Sequence, residues 1–203
     1  NVALQAGNNS VTAEGAHSTT TVKDMVSWNL PIDNANNIYI AAGQLTTGFK
    51  STDSLLGSHT YGSDNFFTGG ELPVPPGRGA IGLSGSVLIN GLGATTIPDT
   101  GRVWDMWREG SAFSYQVPVA NGTYKVTLGF LEPTATAAGA RIFNVDANGV
   151  NQIANLDIFS AAGANKTAIT RSFNVVVSNG TLQLDFRGVN GKAIVSNISA
   201  IKQ

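Results

Sequence analysis

The chain has 203 residues and a formal charge of −1, with charged residues at only 12%, about half the usual share. That balance argues against a nucleic-acid binder, which needs a basic face to displace counterions from phosphates, and against an electrostatic grip on anionic membranes. There is no cysteine, hence no disulfide, thiolate nucleophile or thiolate metal site, and no apolar run approaches the ~20 residues that cross a bilayer.

In chain order, residues 1–37 are polar, rich in Asn, Ser and Thr, and weakly patterned. They read as an N-terminal extension, an added edge strand or a linker remnant, with Trp28 assigned to the core. The abrupt start at Asn1 suggests a mature chain or an excised piece of a larger one. Leu72 to Gly77 is a stiff proline-rich loop, and Ser86 to Ile89 reads as a strand. Five Asn-Gly pairs follow, at 90–91, 121–122, 148–149, 179–180 and 190–191. Asn-Gly suits the two positive-φ positions of a type I′ hairpin turn. The runs beside them alternate as half-buried strands do. Tyr124, Val126, Leu128 and Phe130 share one face, as do Leu182, Leu184 and Phe186. Phe173 to Val177, Arg141 to Val145 and Ala193 to Ile201 read similarly. No segment of ten or more residues carries a helical period. Short strands between frequent turns predict an all-β sandwich or barrel.

Catalytic signatures are scarce. Gly77 to Gly82 matches G-x-G-x-x-G, but prolines precede it and a strand follows, so it reads as a glycine-rich loop rather than a dinucleotide site. His17 and His59 sit in no zinc spacing, and no nucleophile elbow is present. Asp64, Glu71, Asp105, Glu109, Glu132, Asp146 and Asp157 supply carboxylates for glycoside hydrolysis, with nothing to select a pair. Asp64, Asn65 and Glu71 offer oxygens for a structural calcium ion but lack a fixed ligand spacing; solvated loop polars are the simpler reading. Asn8, Asn121, Asn165, Asn179 and Asn197 begin N-x-S/T triplets, and Asn121 and Asn179 fit equally as turn residues.

From Ile38 onward, several segments resemble the malectin domain family. These are "IYIAAG" (38–43), "NFFTGG" (65–70), "VWDMWREGSAFSYQVPVANGTYKVTLGFLE" (103–132), "AAGARIFNVDANG" (137–149), "NLDIFSAAGANKTAITRSFNVVVSNGTLQLDF" (155–186) and "AIVSNISAI" (193–201). The resemblance implies a jelly-roll β-sandwich of galactose-binding-like architecture over residues 38–203. It also implies a module that binds oligo- or polysaccharide without cleaving it, with no cofactor. In family members that bind glucose disaccharides, aromatics come from several loops and an acid precedes the last strand. Here Trp104 stands at the first Tyr of Y-Q-T-E-R and Arg108 at its Arg. From the Glu of F-x-E the chain reads Glu132-Pro133-Thr134-Ala135-Thr136, without aromatics, and Asn190 stands near the expected acid. The family's known ligand is therefore not carried over.

"RVWDMWREG" (102–110) places two indoles among charges. An indole offers a flat apolar platform to a sugar's C–H face and an N–H at its rim. Trp104 and Trp107 are the candidate stacking platforms, extended by Phe66 or Phe67. Asp105, Arg108 and Asn190 are the candidate hydrogen-bonding groups for hydroxyls. An odd separation on an extended chain sends Trp104 and Trp107 to opposite faces, one inward and one out. The expectation is a non-catalytic carbohydrate-binding module of a secreted bacterial polysaccharide-degrading enzyme, tethered to its catalytic domain. The alternative is a structural or protein-interaction domain of a larger extracellular protein.

Overall fold

The computed structural model describes residues 7–17, 20–30, 32–33, 37–44, 49–51, 55–72, 87–89, 93–95, 103–104 and 106–203. Asp105, the proline loop at 73–77, the glycine-rich stretch at 77–82 and the Asn90-Gly91 pair lie outside the described residues, as does the side chain of Trp28.

The described elements are nearly all strand. β1 (Gly7–His17) and β2 (Thr20–Leu30) form an antiparallel ribbon of their own. β3 (Ile32–Asp33) pairs with β4 (Asn37–Ala41), and β5 (Phe49–Ser51) with β6 (His59–Tyr61). The main body continues with β7 (Phe67–Glu71), β8 (Val87–Ile89), β9 (Gly93–Thr95), β10 (Arg108–Pro118), β11 (Gly122–Leu131), β12 (Ile142–Ala147) and β13 (Val150–Leu156). After α1 (Ile158–Ala162) come β14 (Thr167–Val177), β15 (Thr181–Asn190), β16 (Ala193–Val195) and β17 (Asn197–Lys202). One sheet runs β13-β12-β15-β10-β16, with β7 also on β10; the other runs β3-β4-β17-β11-β14-β8-β9. The chain passes repeatedly from one sheet to the other, which makes the β-sandwich.

Two-residue periodicity builds the core. Tyr124, Val126, Leu128 and Phe130 of β11 are fully buried and face Tyr115, Val117, Leu182, Leu184 and Phe186 of the opposing sheet in one cluster. Thr123 and Lys125, on either side of Tyr124, are exposed. At the β4–β17–β11 end the seven-stranded sheet is covered on its second face too. There Tyr39, Ala41, Leu131 and Ala168 form a separate cluster with Leu56, Tyr61, Val103 and Trp104.

The Asn-Gly pairs depart from expectation. Only 148–149, among the described ones, is a two-residue hairpin turn with both residues at positive φ (47° and 79°), between β12 and β13. At 121–122 and 179–180 the chain crosses between sheets (β10 to β11, β14 to β15), and at 190–191 it connects β15 to β16, which are separated by β10. In these three pairs the Asn is not at positive φ. The Asn side chains act as crosslinks instead: Gly180 N–H donates to Asn121 Oδ1 at 2.8 Å and Thr181 N–H to Asn179 Oδ1 at 3.2 Å. Asn197, the last N-x-S/T asparagine, is fully buried. α1 is a single turn, capped by Asp157, whose carboxylate accepts from Ser160 N–H, and ended by Gly163 in the left-handed region.

Candidate functional site

Both indoles are core residues. Trp104 is 1% exposed and Trp107 5%. They do diverge, Trp104 into the outer cluster and Trp107 into the inter-sheet core beside Ile38, Ile40 and Ala42. The expectation that one would face solvent fails because both faces of this part of the sheet are covered. Gly43 fixes the position of Trp107. It takes φ +81°, and a methyl group there would collide with the Trp107 carbonyl oxygen and stand 2.8 Å from its nitrogen. The "AAG" at 41–43 thus makes room for the 103–108 segment.

Arg108 is also turned inward. It is 3% exposed, and its guanidinium grips Asp64 through Nε (2.8 Å) and a second nitrogen (2.7 Å). It further donates to the Gly69 carbonyl at 3.1 Å, and its carbon lies 3.3 Å from the centre of the Phe67 ring. Tyr115 Oη donates to the other Asp64 oxygen at 2.6 Å. Burial raises the Asp64 pKa above 3.8 despite the opposing pull of Arg108, Tyr115 and the Gly43 N–H. Burial, then the Asp64 charge, raises the Tyr115 phenol well above 10.0. With the Asp64 value raised in the folded state, its stabilisation is complete below 3.8 and declines as pH rises through the folded value. Melting curves should therefore show the wild type gaining on Asp64→Asn as the pH is lowered through that window. A gap that widens towards neutral pH contradicts the assignment. Of the oxygen-bearing residues considered for calcium, Asp64 is engaged by Arg108 and Tyr115, Asn65 Nδ2 donates to Ser63 Oγ, and Glu71 pairs with Lys192. Among the described residues no three His, Cys, Asp or Glu side chains gather for a metal.

Of the remaining expected residues, Phe66 sits at φ +65° with its ring partly buried against the core. Phe67 is the aromatic that reaches solvent, at 43%. Asn190 is exposed, and its amide donates to the Gly139 carbonyl at 2.7 Å, tethering the 137–140 loop.

A groove of about 310 Å³ opens nearby, with Trp107 at its floor and Glu109, Pro133, Thr134, Ala135, Ala140, Arg141, Gly191 and Lys192 around it. Its charges alternate along a chain. Glu132, fully buried, accepts from Thr134 N–H (3.0 Å), Ala135 N–H (2.9 Å) and Arg141 Nε (2.6 Å). Arg141 also reaches the Lys192 carbonyl (2.9 Å) and lies 3.6 Å from Glu109. Glu109 accepts from the Trp107 indole N–H at 3.2 Å and from Lys192 Nζ at 3.2 Å. Lys192 pairs in addition with Glu71. Glu71 and Glu109 raise the Lys192 pKa above 10.5. The exposed end of the chain is Lys192 and Glu71, whose side chains are 46% and 59% exposed. A second hollow of about 320 Å³, lined by Gly70, Glu71, Ser111 and Ala112, adjoins it across Lys192.

The groove thus gathers Trp107 alone from the expected set. Phe67 lies four positions along β7 from Glu71, across Gly69 and Gly70 at positive φ, and is not among the groove's lining residues; Trp104 and Arg108 serve the interior. Glu109, Arg141 and Lys192 went unselected in the sequence, although Glu109 stands in "RVWDMWREG" and Arg141 in "AAGARIFNVDANG".

This geometry can be set beside known proteins. No curated protein matches the sequence. Among solved structures the chain is similar to the ANX1 ectodomain of Arabidopsis thaliana, with a TM-score of 0.63 and 12% identity over 90% of this chain and 56% of that one. It is similar to Bacteroides uniformis beta-glucuronidase 2 covalently bound to cyclophellitol-6-carboxylate aziridine, with a TM-score of 0.60 and 16% identity over 100% of this chain and 23% of that one. A chain in the complex of plant peptide RALF23 with FER and LLG2 gives a TM-score of 0.61 and 14% identity over 82% of this chain and 48% of that one. At such identities the likeness is one of fold. The chain spans between 23% and 56% of the length of these proteins. The family model for the malectin domain matches residues 96–203, more than half of the sequence, including the groove residues from Trp107 to Lys192. The chain belongs to the malectin domain family.

Proposed function

We propose that the sandwich of residues 38–203, preceded by an extension at 1–37, binds carbohydrate without cleaving it. In this reading it targets a secreted bacterial polysaccharide-degrading enzyme to its glycan. The observation that carries the reading is the indole-floored groove with an alternating ionic rim. Lys192 and Arg141 offer donors, Glu109 and Glu71 offer acceptors, and the salt links hold both sets in place before a ligand arrives. Hydroxyls, which donate and accept at once, suit such a mixed rim. Glu132 supports a binding rather than a catalytic role, because its oxygens already serve Arg141, Thr134 and Ala135. Trp107 is only 5% exposed, so stacking area is small and affinity falls in the micromolar to millimolar range.

Affinity electrophoresis through soluble β-glucans, xylan and galactomannan tests this reading. Retardation is expected in one related group. Lys192→Ala and Glu109→Gln each weaken it about tenfold, equivalent to about 1.4 kcal/mol. EDTA leaves it unchanged, since Asp64 is committed to Arg108 and Tyr115. Retardation that survives both substitutions places the ligand elsewhere. A protein-interaction role draws on Phe67, an exposed ring held from behind by Arg108. A partner held there is not displaced by oligosaccharide and is lost in Phe67→Ala.

A further inference from the structure

We infer that a second groove, at the far end of β12 and β15 from Trp107, is a separate saccharide-binding site that takes a neutral vicinal diol. This groove measures about 510 Å³ and is bordered by the Asn148-Gly149 turn and the 178–181 segment, with Val176, Gln183 and Asp185 on its walls. A groove of this size falls in the range of small-ligand sites.

Three features define its chemistry. The first is a fixed acceptor: Gln183 Nε2 donates to both Asp185 oxygens at 3.0 Å each. The carboxylate is thereby held in one orientation, and its remaining lone pairs match two adjacent hydroxyls. The neighbouring carboxylate, Asp146, is already met by Arg187 and by Asn151 at 2.8 Å, so Asp185 is the charge presented to the groove. The second feature is rigid walls. Asn148 Nδ2 donates to the Val176 carbonyl at 2.9 Å, and Gln183 N–H donates to Asn148 Oδ1 at 2.9 Å. One side chain therefore ties the hairpin turn to both sheets. The third is the absence of any Lys or Arg from the lining among the described residues. Asp185 then repels anions, and a single carboxylate is a poor calcium site. Val176, 69% exposed, gives an apolar patch for ring C–H groups.

The ten residues of β15 set the two grooves about 30 Å apart. A disaccharide occupies one groove at a time, whereas a polysaccharide can engage both and gain avidity without any new contact.

Amide and indole NMR shifts of the 15N-labelled chain, titrated with maltose, cellobiose, laminaribiose and lactose, test the inference. Saturable shifts are expected at Gly149, Ser178, Gly180 and Thr181 with at least one of these sugars. The apparent Kd rises at least tenfold in Asp185→Ala. The response disappears in Val176→Arg, a substitution at an exposed position that blocks the groove without disturbing the core. Glucuronate gives no shift. The Trp107 indole signal reports the first groove separately, so each site stands or falls alone. The inference is overturned if none of the four sugars moves those amides, or if calcium chloride moves them and sugar does not. It is equally overturned if Asp185→Ala and Val176→Arg both bind as wild type.

Discussion

Arg108→Ala lowers the unfolding free energy by about 3–5 kcal/mol, the usual result of breaking one side of a buried ion pair. The substitution leaves the Asp64 carboxylate buried with Tyr115 as its remaining side-chain partner, and it removes the guanidinium behind Phe67. It also frees the Gly69 carbonyl that Arg108 ties down on β7. Urea denaturation measures the loss. Lys192→Ala is the control: its head group is half exposed, and exposed pairs contribute about 0–1 kcal/mol. The two variants separate stability from binding. Arg108→Ala should weaken the fold, and Lys192→Ala should weaken retention on glycan while melting near wild type. If Arg108→Ala melts like wild type and loses glycan binding, Arg108 is a ligand after all and the buried pair is misplaced.

Legibility in the sequence followed the range of the interactions. The strands around Tyr124 to Phe130 and Leu182 to Phe186 were readable because alternation is a local property. The second core was not. Tyr39, Ala41 and Leu131 point away from the sandwich interior and are buried only because residues 55–62 and 103–104 fold over them. No local pattern announces that cover. Arg108 misled for the same reason: its charge suggests solvent, and Asp64 lies 44 positions away. The Asn-Gly pair at 148–149 carried both a correct turn signal and a correct hairpin signal; those at 121–122, 179–180 and 190–191 carried a correct turn signal and a wrong hairpin signal, since the dipeptide does not encode whether the next strand is the neighbour in the same sheet. The groove is assembled from β10, the 133–141 loop and the 191–192 turn. Lys192 and Glu109, which meet there, are 83 positions apart, so the rim was visible only as unconnected charges.

Trp104→Ala is expected to cost about 3–5 kcal/mol, the range for removing a large buried aromatic. For a chain of this size that lowers Tm by roughly 10 °C. The indole is 1% exposed and packs among Tyr39, Tyr61, Leu131 and Ala168, so its removal leaves a cavity that backbone-paired strands cannot close. Trp107→Ala carries a similar cost and also takes away the groove floor. Trp107→Phe divides the two effects: it keeps most of the apolar volume and deletes the N–H that Glu109 accepts. Its stability loss should be smaller, since a net hydrogen bond contributes about 1 kcal/mol. Glycan retention should nevertheless fall, because Glu109 loses one of the contacts that aim it. For Trp104→Phe the opposite pattern holds: a measurable stability loss with retention unchanged, since Trp104 lies outside the groove lining. Thermal melts and affinity gels on the four variants read both quantities. Retention lost in Trp104→Phe with Tm preserved would restore Trp104 as a stacking platform and refute its placement in the second core.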